Sequence, residues 1–216
     1  MFTETDEFHF IVTREQADQG PGVVSYLNDL VAKGHVHIID SHEEGPIQSV
    51  MGIENIPADA PVIISYCDFF VHWDYQVFLR HLHSADGAVV TFSGFQAASF
   101  GNTQYAYLRI DGDRMLELQE KQSFTDDRVS EPASAGIYYF SQFATFLKYG
   151  RQVLDDENRD LPESYVSLAY NHLIEDGLRV ITHEAEIFVC LGTPEDYEQY
   201  QYWWQYFVGS SMQKVK

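Results

Sequence analysis

The chain has 216 residues, of which 45% are hydrophobic and 15% aromatic, a composition that supports one good core and excludes an intrinsically disordered protein. Its 33 acidic and 13 basic residues give a net charge of -20, which excludes a nucleic-acid-binding surface because a polyanion would be repelled. No apolar run approaches the roughly 18 residues of a membrane span, the N-terminus lacks the pattern of a signal peptide, and two cysteines make no disulfide framework, so we expect a cytoplasmic protein without a membrane partner.

The first half of the chain alternates between strand-like and helix-like patterns, which predicts a parallel α/β sheet. Apolar runs predict strands at 8–13, 35–40, 61–67 and 88–92. The run at 61–67 is almost continuously apolar, as in a strand buried on both faces. Helical spacing predicts helices at 23–31, capped by Gly34, near 47–53, and after a capping Asp74.

The second half predicts an antiparallel hairpin followed by further helices and strands. Strands are expected at 105–110, 115–119, 135–140, 179–182 and 186–189, and a helix at 165–173, ended by Gly177. Asp111-Gly112-Asp113 marks a hairpin turn, and Thr193-Pro194 starts a last helix. Aromatic residues on one face of that helix indicate a core or dimer surface. Without repeats or a linker, residues 1–216 are expected to form one domain.

Asp68 directly follows the buried strand at 61–67. Ligands of open parallel sheets bind beyond the carboxyl ends of the strands, and a carboxylate at that position can hold Mg²⁺ against phosphate oxygens. The alternative is an ordinary turn residue, since Asp is common after strands. Asp68 is therefore a candidate metal ligand.

Two further pairs of polar or small residues follow predicted strands. Gly45 lets a flat ligand approach the backbone, and Gln48 offers the donor and the acceptor that reading a base edge requires. Glu120 suits sugar hydroxyls, while Lys121 supplies a point charge for a phosphate. The alternatives are an ordinary helix start for the first pair and a surface ion pair for the second.

The nine histidines show neither catalytic nor metal-ligand spacing. His35 and His37 alternate along a predicted strand, and His81 and His83 lie late in a predicted helix. Histidines are often simply packed or solvated, so we expect structural roles for all of them. The sequence contains neither a Walker phosphate loop nor a Gly-x-Ser-x-Gly elbow.

Five segments that carry these residues occur in a fixed order. They are PVIISYCD at 61–68, WDY at 73–75, EK at 120–121, SAGIYYF at 134–140 and LGTPEDY at 191–197. In these segments the chain resembles the sugar-phosphate nucleotidyltransferase family, in particular its branch in bacterial capsule and surface-polysaccharide synthesis. The resemblance covers nearly the whole chain, from Phe8 to Tyr206. It implies a three-layer Rossmann-like fold of the nucleotide-diphospho-sugar transferase type, with a mostly parallel mixed sheet.

The resemblance also implies a reaction. The sugar phosphate attacks the α-phosphorus of a nucleoside triphosphate in line and pyrophosphate leaves, with Mg²⁺ as the cofactor. Asp68, as metal ligand, and Lys121, at the phosphate, would be the catalytic residues. By the same resemblance, the base site would contain Gly45 and Gln48. The sugar-phosphate site would contain Glu120, Lys121 and Gly136, where the glycine lets the sugar lie against the backbone.

The sequence departs from the family pattern in two places. Members of the family begin with a strand and a Gly-x-Gly-x-Arg loop that binds the triphosphate, whereas this chain starts at what resembles their second strand. Gly20-Pro21-Gly22 is in the wrong place and lacks the Arg. We therefore expect an N-terminally incomplete domain in which a register shift, a partner chain or a homo-oligomer fills the gap in the sheet. Cys190 also stands where the family often has a second metal-binding Asp, and a thiolate is a poor ligand for Mg²⁺.

Three hypotheses about function remain open at this point. The first is an enzyme that makes a nucleotide-activated sugar or a related phosphorylated building block. The second is a non-catalytic member that binds ligand or assembles with a complete homologue, which the absent loop favours. The third is a nucleotide-sugar-dependent glycosyltransferase. That class needs a metal-binding Asp-x-Asp after the central strand, and here the run is Cys67-Asp68-Phe69-Phe70.

Overall fold

The structure is a computed structural model that describes residues 6–20, 22–94, 105–156, 161 and 163–209. The strands are β1 (Phe8–Thr13), β2 (Gly34–Ile39), β3 (Val62–Ser65), β4 (Phe69–His72), β5 (Gly87–Phe92), β6 (Ala106–Asp111), β7 (Arg114–Glu120), β8 (Ala133–Phe140), β9 (Val180–Glu184) and β10 (Ile187–Cys190). The helices are α1 (Arg14–Gln19), α2 (Val23–Leu30), α3 (Pro46–Met51), α4 (Tyr75–His81), α5 (Phe143–Leu154), α6 (Ala169–Glu175) and α7 (Pro194–Trp204). Short 3₁₀ turns lie at Arg128–Ser130 and Val166–Leu168, and a π-helical segment lies at Gln205–Gly209.

The largest sheet has six strands in the order β3-β8-β5-β9-β7-β6. β6 also pairs with β8 through Tyr107 and Ala133, so that β8, β5, β9, β7 and β6 form a closed, barrel-like ring. β3 lies outside this ring and pairs with the other half of β8, from Ile137 to Phe140. β8 is therefore the strand that joins the ring to β3, and it is buried along almost its whole length.

The prediction of a mostly parallel sheet is wrong for the pairings that the structure describes. β1 with β2 and β5 with β9 are parallel pairs, whereas the other described ladders are antiparallel. The reason is that β8 lies between β3 and β5 and runs against both. β3 and β5 thus point the same way, as their buried apolar sequences predict, but they are not neighbours.

Apolar residues pack on both faces of the six-stranded sheet. Because side chains alternate along a strand, the all-buried β5 contributes to two cores. Val89 belongs to the core beneath α3, α5 and α6, where Ile47, Phe146 and Tyr170 are fully buried. Val90 belongs to the opposite core, which α4 and the β4–β10 pair cover. The sheet is consequently the middle of a mixed α/β domain.

β1 and β2 form a separate, parallel two-stranded sheet. Among the strands that the structure describes, β1 pairs only with β2, and β3 pairs only with β8. One edge of β1 and one edge of β3 are thus left without a ladder. Our expectation that a register shift, a partner chain or a homo-oligomer fills the gap in the sheet stays a prediction.

Several local sequence signals are confirmed. Asp74 Oδ1 accepts a hydrogen bond of 2.9 Å from the amide of Val77 and caps α4. Thr193 and Asp196 form a reciprocal capping box at the start of α7. Gly112, at φ 60°, makes the tight turn between β6 and β7. The cap predicted at Gly34 is wrong, because α2 already ends at Leu30 and Gly34 begins β2.

The sequence analysis missed α1, β4 and α5 and misjudged the aromatic face of the last helix. No described residue of α7 is buried, and Tyr197, Tyr200 and Trp204 are 50%, 42% and 50% exposed. A role in the core is therefore wrong for these side chains, while a dimer surface stays a prediction. Within the described residues, none of the helices combines the length and the hydropathy that a membrane span requires.

Candidate active site

A bulge in β8 shapes the centre of the candidate site. The pairing with β5 jumps from Val90 opposite Ile137 to Thr91 opposite Ser134, so Ala135 and Gly136 have no partner in β5. Gly136 has φ 77°, which glycine adopts without strain. Its carbonyl oxygen accepts a 3.0 Å hydrogen bond from the amide of Tyr66, just after β3. The bulge thereby ties β8 to the chain segment that leads to Asp68.

Gly136 also has a packing reason to be glycine. A Cβ atom at this position would lie 3.0 Å from Cε1 of Phe69 and 3.2 Å from Cδ2 of Tyr66. A larger residue would push both aromatic rings away from the bulge. The sugar contact predicted for Gly136 stays a prediction, because this packing is sufficient to explain the residue.

Glu120 ends β7 in a partly buried position. The hydroxyl group of Ser167, which is fully buried in the 3₁₀ turn before α6, donates a hydrogen bond to Oε2 of Glu120. Burial raises the pKa of the Glu120 carboxyl above its ordinary value, although the bond from Ser167 and the charge of Lys121 partly oppose this effect. A partly buried, desolvated carboxylate is costly for the fold, which favours a functional reason for its presence.

Replacing Glu120 with Gln should therefore stabilise the protein at neutral and alkaline pH. Since the folded protein binds this proton more tightly than the unfolded chain, the carboxyl stabilises the fold below about pH 4.5, its unfolded value, and this contribution is lost as pH rises through the folded pKa. Gln keeps an oxygen for Ser167 and carries no charge. We expect the gain in Tm of Glu120→Gln over the wild type to grow between pH 5 and pH 8.

Glu117→Gln is the matched control on the same strand. Oε2 of Glu117 accepts a 2.8 Å bond from Arg109 Nη1 in an exposed ion pair, so its loss should change the stability by less than about 0.5 kcal/mol. A Tm difference for Glu120→Gln that is flat or negative over this pH range would show that burial does not raise the pKa of Glu120.

Lys121 directly follows β7 and has an unusual backbone conformation. Its φ is 58°, a left-handed value that is uncommon for residues other than glycine. Nζ donates a 2.6 Å hydrogen bond to the hydroxyl of Tyr165 and lies 4.7 Å from the centre of its ring. The bond to Tyr165 raises the pKa of Lys121. The side chain is therefore positively charged, and it is exposed to solvent. Strained residues of this kind are frequent at binding sites.

The loop before α3 is fixed to the segment that carries Tyr165. The amide of Ser164 donates to the carbonyl of Glu44 at 2.9 Å, and the amide of Ile47 donates to the carbonyl of Ser164 at 3.2 Å. Gly45 lies between these bonds at φ 89° and ψ -173°, a conformation that is essentially restricted to glycine. A Cβ atom here would be 2.8 Å from the amide nitrogen of Ser164. Gly45 thus lies next to the segment that contacts Lys121.

Tyr66 connects the two halves of the site. Its hydroxyl oxygen accepts a 3.3 Å hydrogen bond from the amide of Val166, and its ring packs edge-on against Tyr138 at 5.7 Å. Burial raises the pKa of Tyr66 well above its ordinary value, so it is a neutral phenol. Through Tyr66, the bulge at Gly136 contacts the segment that holds Glu120 and Lys121.

Asp68 lies at the edge of this arrangement, where the chain turns from β3 to β4. Its carbonyl oxygen accepts a 2.8 Å bond from the amide of Leu191, and its exposed carboxylate lies against Gly192. A Cβ atom at Gly192 would be only 2.8 Å from Oδ2 of Asp68. The glycine therefore leaves the room that this carboxylate occupies.

The exposed carboxylate of Asp68 is of the kind that binds Mg²⁺. Mg²⁺ is commonly bound by one or two carboxylates, with waters and substrate phosphates as the remaining ligands, and an exposed carboxylate beside a glycine suits this mode. Cys190 offers a soft sulfur, which is a poor ligand for Mg²⁺, and its thiol donates to Oδ2 of Asp196 at 3.5 Å. Magnesium binding by Asp68 stays a prediction.

The structure brings most of the predicted residues into one region. Gly45, Glu120 and Lys121 meet around residues 163–167, while Tyr66 and Phe69, on either side of Asp68, meet at Gly136. Gln48 is exposed on the first turn of α3. The sequence analysis missed Tyr66, Tyr165 and Ser167. It placed Tyr165 on a helix face, whereas the structure has an extended residue there, at φ -75° and ψ 143°.

Comparison with known proteins supports the fold. No family model matches the sequence, and no curated protein matches it. The structure resembles the nucleoside-diphosphate-sugar pyrophosphorylase from Vibrio cholerae RC9, with a TM-score of 0.73 and 17% identity over 91% of this chain and 80% of that chain. The fold is nucleotidyltransferase-like. It also resembles the inositol-1-phosphate CTP transferase from T. maritima, with a TM-score of 0.60 and 13% identity over 90% of this chain and 75% of that chain.

Proposed function

We propose that this protein transfers a nucleoside monophosphate from a nucleoside triphosphate to a sugar phosphate or a related phosphorylated precursor, with release of pyrophosphate. The observation that carries the proposal is that residues 163–167 connect the end of β7 with the bulge of β8. Tyr165 bonds to Lys121 and Ser167 bonds to Glu120. The amide of Val166 donates to Tyr66, which in turn bonds to Gly136. A carboxylate and an ammonium group thus follow each other at the end of β7, each held by its own partner, on a nucleotidyltransferase-like fold. The two similar solved proteins are named for reactions of this class.

Each residue has a role that its surroundings support. Lys121 binds the phosphate of the acceptor, and Tyr165 holds its side chain in place. Glu120, fixed by Ser167, accepts hydroxyl groups of the sugar. The base site contains Gly45, which packs against Ser164, and Gln48, whose side-chain amide reads the base edge. In this proposal the residues align the acceptor phosphate with the α-phosphorus, and catalysis is mainly positioning and electrostatics.

Mg²⁺ completes the proposed site, with Asp68 as its protein ligand. When bound, the ion would neutralise charge on the phosphate oxygens of the nucleotide. Such a cation matters in a chain with a net charge of -20, because a triphosphate needs local positive charge to approach it. The ion would supply that charge at the nucleotide, while Lys121 supplies the charge at the acceptor phosphate.

We also infer the finer fold type and the biological role from the five shared segments. They support a three-layer Rossmann-like arrangement of the nucleotide-diphospho-sugar transferase type, with core residues on both faces of the sheet. They also support a biological role in which the product, a nucleotide-activated sugar, is used to build a surface polysaccharide. A substrate screen identifies the base and the sugar.

A non-catalytic, ligand-binding or assembly role is the second candidate. Two observations favour it. Cys190 provides a thiol where a second carboxylate would help to bind the ion, and β1 and β2 share no ladder with the larger sheet among the described strands. The glycosyltransferase hypothesis is less well supported. Its best Asp-x-Asp candidate, Asp111-Gly112-Asp113, lies in the tight turn between β6 and β7.

A pyrophosphate-release assay tests the proposed reaction. The full chain is incubated with Mg²⁺, each of the four nucleoside triphosphates and a panel of sugar 1-phosphates and polyol phosphates. We expect release of pyrophosphate with one base and one acceptor, and its loss in EDTA. Binding of a nucleotide by calorimetry without any turnover over the whole panel would favour the non-catalytic role.

Gly192→Ala should lower turnover through Asp68 without harming the fold. The new methyl group would lie 2.8 Å from Oδ2 of Asp68, so the short carboxylate side chain must swing away from its position. We expect turnover to fall by about 10- to 100-fold, since small misplacements of a catalytic group have effects of this size. The measurement is kcat as a function of Mg²⁺ concentration, with Tm as the check on folding.

Gly52→Ala provides the matched control. A Cβ atom at Gly52 would meet its nearest neighbours at 3.6 Å, an ordinary contact distance, so turnover should be unchanged. Equal kcat values for Gly192→Ala and the wild type would contradict the assigned position of the Asp68 carboxylate.

A further inference from the structure

Three histidines lie on one face of the separate β1–β2 sheet. In the parallel register His9 is opposite His35, and His37 is two residues further along β2. Because alternate residues of a strand point to the same face, all three imidazoles lie on the same side. The opposite face is covered, since α2 packs there against Gly34, next to Phe10. The sequence shows the His-x-His pattern of β2, but the third ring becomes visible only through the strand register.

These rings are in close contact. Nδ1 of His9 and Nε2 of His37 are 2.9 Å apart and share a hydrogen bond. The ring of His9 stacks on His35 at 5.0 Å and on His37 at 5.1 Å. Glu7, just before β1, completes the group, because one ligand atom each from Glu7, His9 and His35 lie within 4.8 Å of one another. Within the described part of the chain, this is the one group of three or more such side chains at that spacing.

We propose that Glu7, His9 and His35 bind a divalent transition-metal ion of the zinc type. Two imidazole nitrogens and one carboxylate form a donor set that such ions use in proteins, whereas Mg²⁺ prefers oxygen ligands alone. His37 bonds to Nδ1 of His9 and leaves Nε2 for the metal, so it acts as the outer partner that fixes ring orientation. This site is separate from Asp68, whose surroundings suit a hard cation.

The position of the site indicates what the ion does. A two-stranded sheet is marginally stable by itself, and β1 shares a ladder only with β2 among the described strands. Both strands provide ligands: Glu7 and His9 belong to or directly precede β1, and His35 belongs to β2. The ion therefore cross-links the two strands. Glu7 and His35 are exposed, so the ion reaches the site from solvent.

Zinc binding by the full chain, purified without a polyhistidine tag and stripped with a chelator, tests this proposal. Competition with a chromogenic chelator measures the affinity for Zn²⁺ alone, and Co²⁺ absorption in the visible range reports nitrogen ligation. We expect one equivalent of metal per chain. His9→Ala and His35→Ala should each weaken Zn²⁺ binding by about 100-fold or more, and His37→Ala by about 10- to 100-fold, the usual effect of an outer partner.

Two further variants keep the test decisive. Glu7→Gln retains the size of the side chain and removes the charged ligand, so it should weaken Zn²⁺ binding even if an alanine variant disturbs β1. The double variant His72→Ala/His83→Ala removes two imidazoles elsewhere, on β4 and after α4, and should bind Zn²⁺ as the wild type does. Absence of stoichiometric binding, or an equal loss in the control double variant, would overturn the proposal.

Discussion

Lys121→Ala is expected to weaken binding of the sugar phosphate by about 10- to 100-fold, the value of one charge-assisted hydrogen bond to a phosphate. The loss should be selective. Lys121 directly follows Glu120 and is held by Tyr165, at the position proposed for the acceptor phosphate. We therefore expect the affinity for the nucleoside triphosphate to change by less than about twofold. Calorimetric titration of each substrate, followed by initial rates, measures both effects.

Lys148→Ala is a close control for this experiment. Nζ of Lys148 donates to the hydroxyl of Tyr149 at 3.0 Å and lies 4.4 Å from the centre of its ring, so its local contacts resemble those of Lys121. It also pairs with Asp176 on the exposed surface. Its loss should leave both affinities unchanged. If Lys121→Ala affects the nucleotide more than the sugar phosphate, the assignment of Lys121 to the acceptor is wrong.

The sequence predicts most strands and the N-terminal caps of α4 and α7, because these depend on neighbouring residues, although it misses β4 and misplaces a cap at Gly34. The apolar run at 87–92 is buried at every position, and the Asp74 and Thr193 caps need only the next three residues. Helix α5 was missed although Phe143, Phe146 and Val153 carry a helical pattern. Gly150 interrupts that pattern, and it is tolerated because Ile47 of α3 packs closely against it.

Pairing between strands is less predictable from the sequence, because a strand's direction does not reveal its neighbour. The pattern of β3 and β5 gives their common direction correctly. It cannot show that β8 inserts between them, since β8 comes some 40 residues after β5 in the chain. The same limit applies to the closure of the ring, which depends on contact between Tyr107 and Ala133.

In the candidate site, the sequence likewise identifies some of the residues but not the partners that they contact. Asp68, Glu120 and Lys121 could be selected by residue type and by their positions at strand ends. Their partners could not, because Ser167 is 47 residues from Glu120 and Tyr165 is 44 residues from Lys121. The histidine group on β1 and β2 is a further case. Neither strand alone has three ligands, and the group exists only when the parallel register places His9 opposite His35.

Asp68→Ala should reduce kcat by about 10³-fold or more, the effect of removing a group that stabilises developing charge at a phosphoryl centre. Stability should hardly change. The Asp68 side chain is exposed, and the contact to Leu191 uses the backbone carbonyl, which the substitution retains. We expect a Tm within about 2 °C of the wild type, measured beside Mg²⁺-dependent turnover.

Two comparison variants separate the charge of Asp68 from its packing against Gly192. Asp68→Asn keeps nearly the same shape beside the glycine and removes the charge, so its loss of turnover should approach that of Asp68→Ala. Asp59→Ala removes an exposed carboxylate before β3 and should be fully active. Unchanged turnover in Asp68→Ala would remove Asp68 from the site. Reduced turnover in Asp68→Ala with full activity in Asp68→Asn would show that shape, and not metal binding, is what this position provides.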